Sequence, residues 1–462
     1  MVLLLNIIDN VLHRSFAMNV CVINGSPKGN YSITLQTLLF IGNNNPSDNF
    51  TYLSPGAKIK QYEKDFSVCK ETLEAADLII FSYPVYTFIV PAQLHRFIEL
   101  MKEQGVNIKG KYVTQVSTSK HFYDVTAHNF IRDNVGDFGA KYIKGLSADM
   151  DDLLKEKGQK EALSFYKYVS WCVKEDIYEK NERTFETKET LETDVPAAVK
   201  KDQGKTVVLV ADLSEGDIKL KQMIDRFTAV MPYEIRLVNI REFPFMGGCI
   251  SCFNCATTGK CIYKDGFDSF LRENIQTGNA IVIAFSVKDH SMGSLFKTYD
   301  DRQFCNGHRT VTMGMPFAYL VNGNLSEEEN LRTIIDARAE VGGNFLAGVA
   351  TNEYAPNEEI DSMAKKLKYA MDNSYVQPSN FYGVGGIRIF RDLIWLMQGM
   401  MRADHKFFKS HGQYDFPQKK KGTLIKMYLV GSLISNPKVK AKLGNKMNEG
   451  MIGPYKKIVD GK

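Results

Sequence analysis

Short apolar runs alternate along this chain with stretches whose apolar residues recur every three or four positions. Residues 18–24 form a run of the first kind, and GSPKGNYSIT separates them from Leu35, Leu38 and Leu39 at helical spacing. The unit reads as strand, loop and helix. Residues 77–82 predict a second buried strand, followed by YPVYTFIVPAQLHRFIE, a loop leading into a helix. Residues 112–116 and 142–146 predict further strands, and 50–53 a weaker one. Strands alternating with helices predict an α/β fold with a doubly wound parallel sheet, whose ligands bind beyond the carboxyl ends of the strands.

From Lys174 to Lys205 the chain is charged, poor in apolar residues and broken by Pro196, the composition of a domain boundary. Then the pattern restarts. TVVLVADLSEGDIKLKQMIDRF gives strand, loop and helix, with Leu220, Ile224 and Phe227 on one helical face. Residues 234–240, 280–285, 310–313 and 345–349 predict the remaining strands. The expected organisation is an N-terminal extension (1–17), a first α/β domain (18–175), a linker (176–204), a second α/β domain (205–375) and a helical extension (376–462). In that extension, aromatic and methionine residues at helical spacing predict packing on the second domain or at a subunit interface.

Composition narrows the partners. The 462 residues carry 58 Lys and Arg against 53 Asp and Glu, a net charge of +5 spread along the chain, so no nucleic-acid footprint is expected. The first seventeen residues hold an apolar run too short to span a bilayer and interrupted by Asp9, so neither signal nor anchor is expected there. Clustered cysteines without an export signal lead us to expect the cytoplasm. A lysine-rich C-terminus suits a solvated face better than a membrane surface.

The loop after residue 24 offers backbone N–H groups, Lys28 and the hydroxyls of Ser26, Ser32 and Thr34 at a helix start, a setting that suits a phosphate monoester. A plain turn with a serine N-cap fits the same residues. The prolines and aromatics around 84–88 could take a flat ring. At the matching place in the second half stand Asp212, Glu215 and Asp217, where a phosphate would meet like charge.

Four of the eight cysteines fall within thirteen residues, Cys249, Cys252, Cys255 and Cys261, at C-x2-C-x2-C-x5-C. Three ligands in one tight run favour a 4Fe-4S cluster over zinc, whose structural sites usually bring two separated pairs. A metal-free loop is the third reading. Crowding disfavours disulfides among them.

GSPKGNYSIT with SYPVYTFIVPAQLHRFIE resembles the two ligand loops of the flavodoxin-like NAD(P)H-dependent FMN reductase family, over residues 18 to about 175. The resemblance implies a flavodoxin-like sheet of order 2-1-3-4-5 in each half. It also implies FMN, with Ser26, Lys28, Ser32, Ile33 and Thr34 at its phosphate, and Pro84, Val85, Tyr86, Thr87 and Phe88 beside the isoalloxazine. Ser117, Thr118, Ser119 and His121 would meet the pyrimidine edge, with His121 as the candidate proton donor or substrate contact. The cysteine run, following the second strand of a repeat, resembles that of the iron-sulfur flavoproteins. The function implied is an oxidoreductase passing electrons from NAD(P)H, or from a ferredoxin-type carrier, to a small acceptor such as a quinone or flavin. A homodimer is expected. The rival classes are a pure electron carrier, and a zinc-bound structural or sensing protein.

Overall fold

The computed structural model describes residues 17–179, 189–416, 421–434, 438–439 and 442. The N-terminal extension up to residue 16, the linker centre 180–188, Lys419, Lys420 and most of the lysine-rich tail lie outside the described residues. Residues up to His405 form one compact unit, and Lys406–Lys462 a second.

The first sheet is parallel throughout. Its strands β1 (Asn19–Asn24), β2 (Asn49–Leu53), β3 (Leu78–Pro84), β4 (Tyr112–Ser119) and β5 (Lys141–Tyr142) lie in the order β2-β1-β3-β4-β5, with β6 (Leu146–Asp149) pairing β4. The second contains β7 (Asp202–Ala211), β8 (Tyr233–Asn239), β9 (Ala280–Ser286), β10 (Phe317–Asn322) and β11 (Leu346–Thr351), in the order β8-β7-β9-β10-β11. Counted within each half, both orders are 2-1-3-4-5, the expected doubly wound arrangement. Central strands such as β3 and β9 are buried on both faces, which is why they read as unbroken apolar runs rather than as alternation.

Two strand expectations need correction. Residues 310–313 form no strand; they turn between Gly307 and Gly314, and the pairing strand is β10, which begins one residue after Pro316. The β-branched TVT segment has strand propensity, but FAYLVN supplies the apolar run that the sheet centre requires. The segment 142–146 is not continuous either. It breaks between β5 and β6 at Gly145, where a Cβ would come within 2.5 Å of the Gln115 carbonyl oxygen.

The halves join through helices. Helix α1 (Ile33–Asn43) follows the first loop, α2 (Ala92–Glu103) follows the second, and α3 (Asp124–Asp137) follows β4. In the second half α4 (Gly293–Arg302) occupies the place of α2, and the two pack together. Between the halves Glu99 accepts from Ser294 N–H at 2.7 Å, Lys102 pairs with Asp289 at 2.8 Å, and His290, held by Glu328 of its own half at 3.0 Å, lies 3.1 Å from Asp137. The ligand-facing ends of the two sheets thereby share one region.

The extension is helical, with α5 (Phe381–Leu396), α6 (Arg402–Ser410) and α7 (Lys421–Ile434). Its apolar stripe is only partly core. Gly386 of α5 packs against Phe122 and Val341, whereas Phe381 and Leu396 are exposed.

Candidate flavin and cysteine site

Residues 25–32 fold tightly onto the first sheet. Asn24 organises them: its side-chain amide donates to the Gly29 carbonyl at 3.0 Å, and its Oδ1 accepts from Ser26 N–H at 3.2 Å. Ser32 caps α1 by accepting from Leu35 N–H at 3.3 Å. Gly56 must lack a side chain, since a Cβ there would lie 2.1 Å from the Ser26 carbonyl oxygen. Ser26, Ser32 and Thr34 are buried, Ile33 is exposed, and Lys28 has no carboxylate partner among the described residues. A helix start with buried hydroxyls and a cation without a carboxylate has the donors that a phosphate monoester requires.

The loop after β3 is held from the other half. Lys297 of α4, fully buried, donates to the Tyr86 carbonyl at 2.9 Å and to Thr87 Oγ1 at 2.6 Å, and pairs with Asp301 at 2.5 Å. Asp301 also accepts from Thr87 Oγ1 at 2.7 Å and from Ala92 N–H at 2.9 Å. Burial pushes the Lys297 ammonium down to about 8, with Asp301 opposing the fall. Thr87 and Phe88 take positive φ, at 41° and 75°, strain that this clamp can hold. Pro84 and Val85 are half-buried, whereas Tyr86 and Phe88 are buried, Phe88 against Phe122 and Tyr123.

The third loop joins the other two. Thr118 Oγ1 bonds Thr34 Oγ1 at 2.6 Å, Thr118 O accepts from Val85 N–H at 3.2 Å, and Ser119 Oγ accepts from His121 N–H at 2.8 Å. Ser117 Oγ bonds His128 Nε2 at 2.8 Å. Burial pushes His128 down to about 4. The His121 side chain is half-exposed, with Nδ1 held by Asp124 at 3.0 Å and Ser147 at 3.3 Å. Burial alone would raise the Asp124 carboxyl, but hydrogen bonds from Ser147 and His121 bring it below the usual carboxylate range.

The cysteine loop lies against this site. Lys28 Nζ stands 5.0 Å from the Phe253 ring centroid, and Gln93 at the start of α2 donates to the Cys249 carbonyl at 3.3 Å. Arg302 supports the loop from α4, donating to the Gly247 carbonyl at 2.9 Å and pairing with Asp265 at 2.7 Å. Burial pushes Cys249 up to about 12 and Cys255 up to about 11, and neighbouring thiols add to the rise of both. No three of the four sulfurs lie within 4.8 Å of one another. Tetrahedral zinc at about 2.3 Å from each would hold them about 3.8 Å apart. As folded, the loop brings no three of its thiols to that separation.

The second half's own first loop is closed. Asp212 is buried in pairs with Arg241 at 2.7 Å and Lys288 at 3.2 Å, and the Ser214 N–H is used by Asp217 at 2.8 Å. Lys297, Asp301, Gln93 and His128 were not singled out in the sequence. Their one signal is a polar residue where helical period demands an apolar one, as at Lys297 between Phe296 and Tyr299.

Residues 18–149 match a family model described as flavodoxin-like fold. The fold is flavodoxin-like. Solved structures similar to a flavodoxin-like part of the chain include the general stress protein 14 of Treponema denticola in complex with FMN, 13% identical with a TM-score of 0.29 over 33% of this chain and 98% of that one. The flavoenzyme NAD(P)H:(acceptor) oxidoreductase FerB of Paracoccus denitrificans is 15% identical, with a TM-score of 0.29 over 34% of this chain and 98% of its own. The NADPH-quinone reductase of P. pentosaceus is 16% identical, with a TM-score of 0.27 over 33% and 98%. No curated protein matches the chain.

Proposed function

We propose that this protein is an FMN-dependent oxidoreductase that takes electrons from NAD(P)H, or from a reduced carrier, and delivers them to a small acceptor such as a quinone or flavin. Ser26, Lys28, Ser32, Ile33 and Thr34 would hold the phosphate, residues 84–88 and 117–119 would border the ring, and the four cysteines of the 249–261 loop would hold a 4Fe-4S cluster. When bound, FMN supplies hydride acceptance and single-electron release, and the cluster supplies one-electron exchange.

The chain's own part is positioning. Lys28 and the start of α1 bind the phosphate, Lys297 and Asp301 fix the ring loop, and His121 is oriented by Asp124 and Ser147 to exchange a proton with solvent or substrate. The observation that carries the reading is the contact of Lys28 with Phe253, together with Gln93 on Cys249. These bring the 25–32 loop and the start of α2 in one half against the cysteine loop of the other. The test is the absorption spectrum of protein purified without oxygen, with flavin, iron and sulfide counted per chain. Flavin near one with four irons supports the reading. Absence of flavin overturns it, and flavin without iron reduces it to a plain FMN reductase.

A further inference from the structure

Helix α2 carries a buried histidine that the site above leaves unused. His95 is fully enclosed, and neither ring nitrogen has a hydrogen-bond partner among the described residues. Burying two unpaired polar atoms is costly unless something else satisfies them. The ring is held in place by an edge contact with Phe130 at 4.8 Å between centroids. One turn on, Glu99 lies on the same helical face, and Asp289 comes from the loop after β9 in the other half. One ligand atom from each of His95, Glu99 and Asp289 lies within 4.8 Å of the others. Around a tetrahedral ion at about 2.0–2.2 Å from each, such atoms stand about 3.4 Å apart, a closure that side-chain torsions supply.

We propose that His95, Glu99 and Asp289 form a second metal site, for a divalent ion of the zinc class, separate from the cysteine loop. An imidazole with two carboxylates is the donor set that zinc and its first-row neighbours accept. The outer groups are already in place. Glu99 is oriented by Ser294 N–H at 2.7 Å, Ser294 Oγ at 2.6 Å and Arg96 at 3.1 Å. Lys102 holds Oδ1 of Asp289 at 2.8 Å, leaving Oδ2 without a hydrogen-bond partner among the described residues. Such outer contacts aim ligands toward an ion. Glu99 and Asp289 also line a cavity of about 510 Å³, shared with Arg96, Lys102, Arg241 and Lys288, so the carboxylate side of the site faces solvent while His95 closes it from the interior. Because α2 and the loop after β9 belong to different halves, the ion would bind them together directly behind the ring loop.

The test counts metal on the full-length, flavin-loaded protein after equilibration with zinc and removal of loose ion. Wild type is compared with Asp289→Asn and with His95→Gln, and circular dichroism reports the fold. Cobalt separates the two sites, since thiolates give strong charge-transfer absorption whereas imidazole and carboxylates give only weak ligand-field bands. Each variant is expected to lose one equivalent of zinc per chain and the weak cobalt bands while keeping any thiolate absorption. A zinc count and cobalt spectrum unchanged in Asp289→Asn overturn the site, whether or not His95→Gln folds.

Discussion

Lys28, in the loop that follows the first strand, holds its ammonium 5.0 Å from the ring centroid of Phe253, a residue of the other half that stands between Cys252 and Cys255. The contact joins two features more than two hundred residues apart in the chain. A cation over an aromatic face is worth about 0.5–1 kcal/mol at such a site, enough to set a loop's position but not to hold two domains together. Phe253→Leu should therefore leave flavin content and stability nearly unchanged while loosening the cysteine loop, read as faster iron loss to a chelator.

Flavin should count one per chain, because the second loop spends its donors on Asp217 and buries Asp212 against Arg241 and Lys288. Thr34→Ala should weaken FMN binding by about 1–3 kcal/mol, the scale of a lost charged hydrogen bond. Ser32→Ala carries a further cost of about 0.5–2 kcal/mol in stability from the lost helix cap, so the two variants separate binding from folding. Fluorescence titration of the apoprotein measures the first effect, and thermal unfolding the second.

Cys252→Ala is expected to abolish iron binding and leave FMN in place, since Cys252 is exposed and none of the flavin loops rests on its side chain. Reduction of the bound flavin by NAD(P)H, followed by its bleaching, should proceed as in wild type. Loss of flavin together with iron would make the cysteine loop a structural staple of the site.

The Lys297 and Asp301 pair is buried, and α4 donates it to the ring loop of the other half. Lys297→Met should destabilise the protein by about 3–5 kcal/mol, because it strands a buried carboxylate. Adding Asp301→Asn should recover part of that loss. Chemical denaturation of the two single variants and the double variant gives the coupling directly.

Acid should destabilise the protein through His128. Its folded value near 4 lies below the ordinary 6.5, so between those values the unfolded chain binds the extra proton and stability falls as pH falls. The full loss is about 3 kcal/mol by pH 4, and none of it operates above about pH 7. His128→Gln, which keeps a partner for Ser117, should flatten unfolding free energy over that window.

The alternation of apolar runs and helical periods was sufficient to establish two doubly wound halves, because strands buried on both faces and amphipathic helices leave local patterns. The 25–32 loop and the cysteine run were legible for the same reason: glycines, hydroxyls and ligand spacing are properties of neighbours in the chain. Tertiary structure decided the rest. Which apolar segment became β10 depended on the sheet centre, where FAYLVN displaced the TVT segment. That Lys297 clamps Thr87, that Phe253 meets Lys28, and that Asp289 approaches His95 depended on how α4 packs on α2. Contacts between distant segments follow from the summed burial of whole helix faces, and no local window of sequence records that sum.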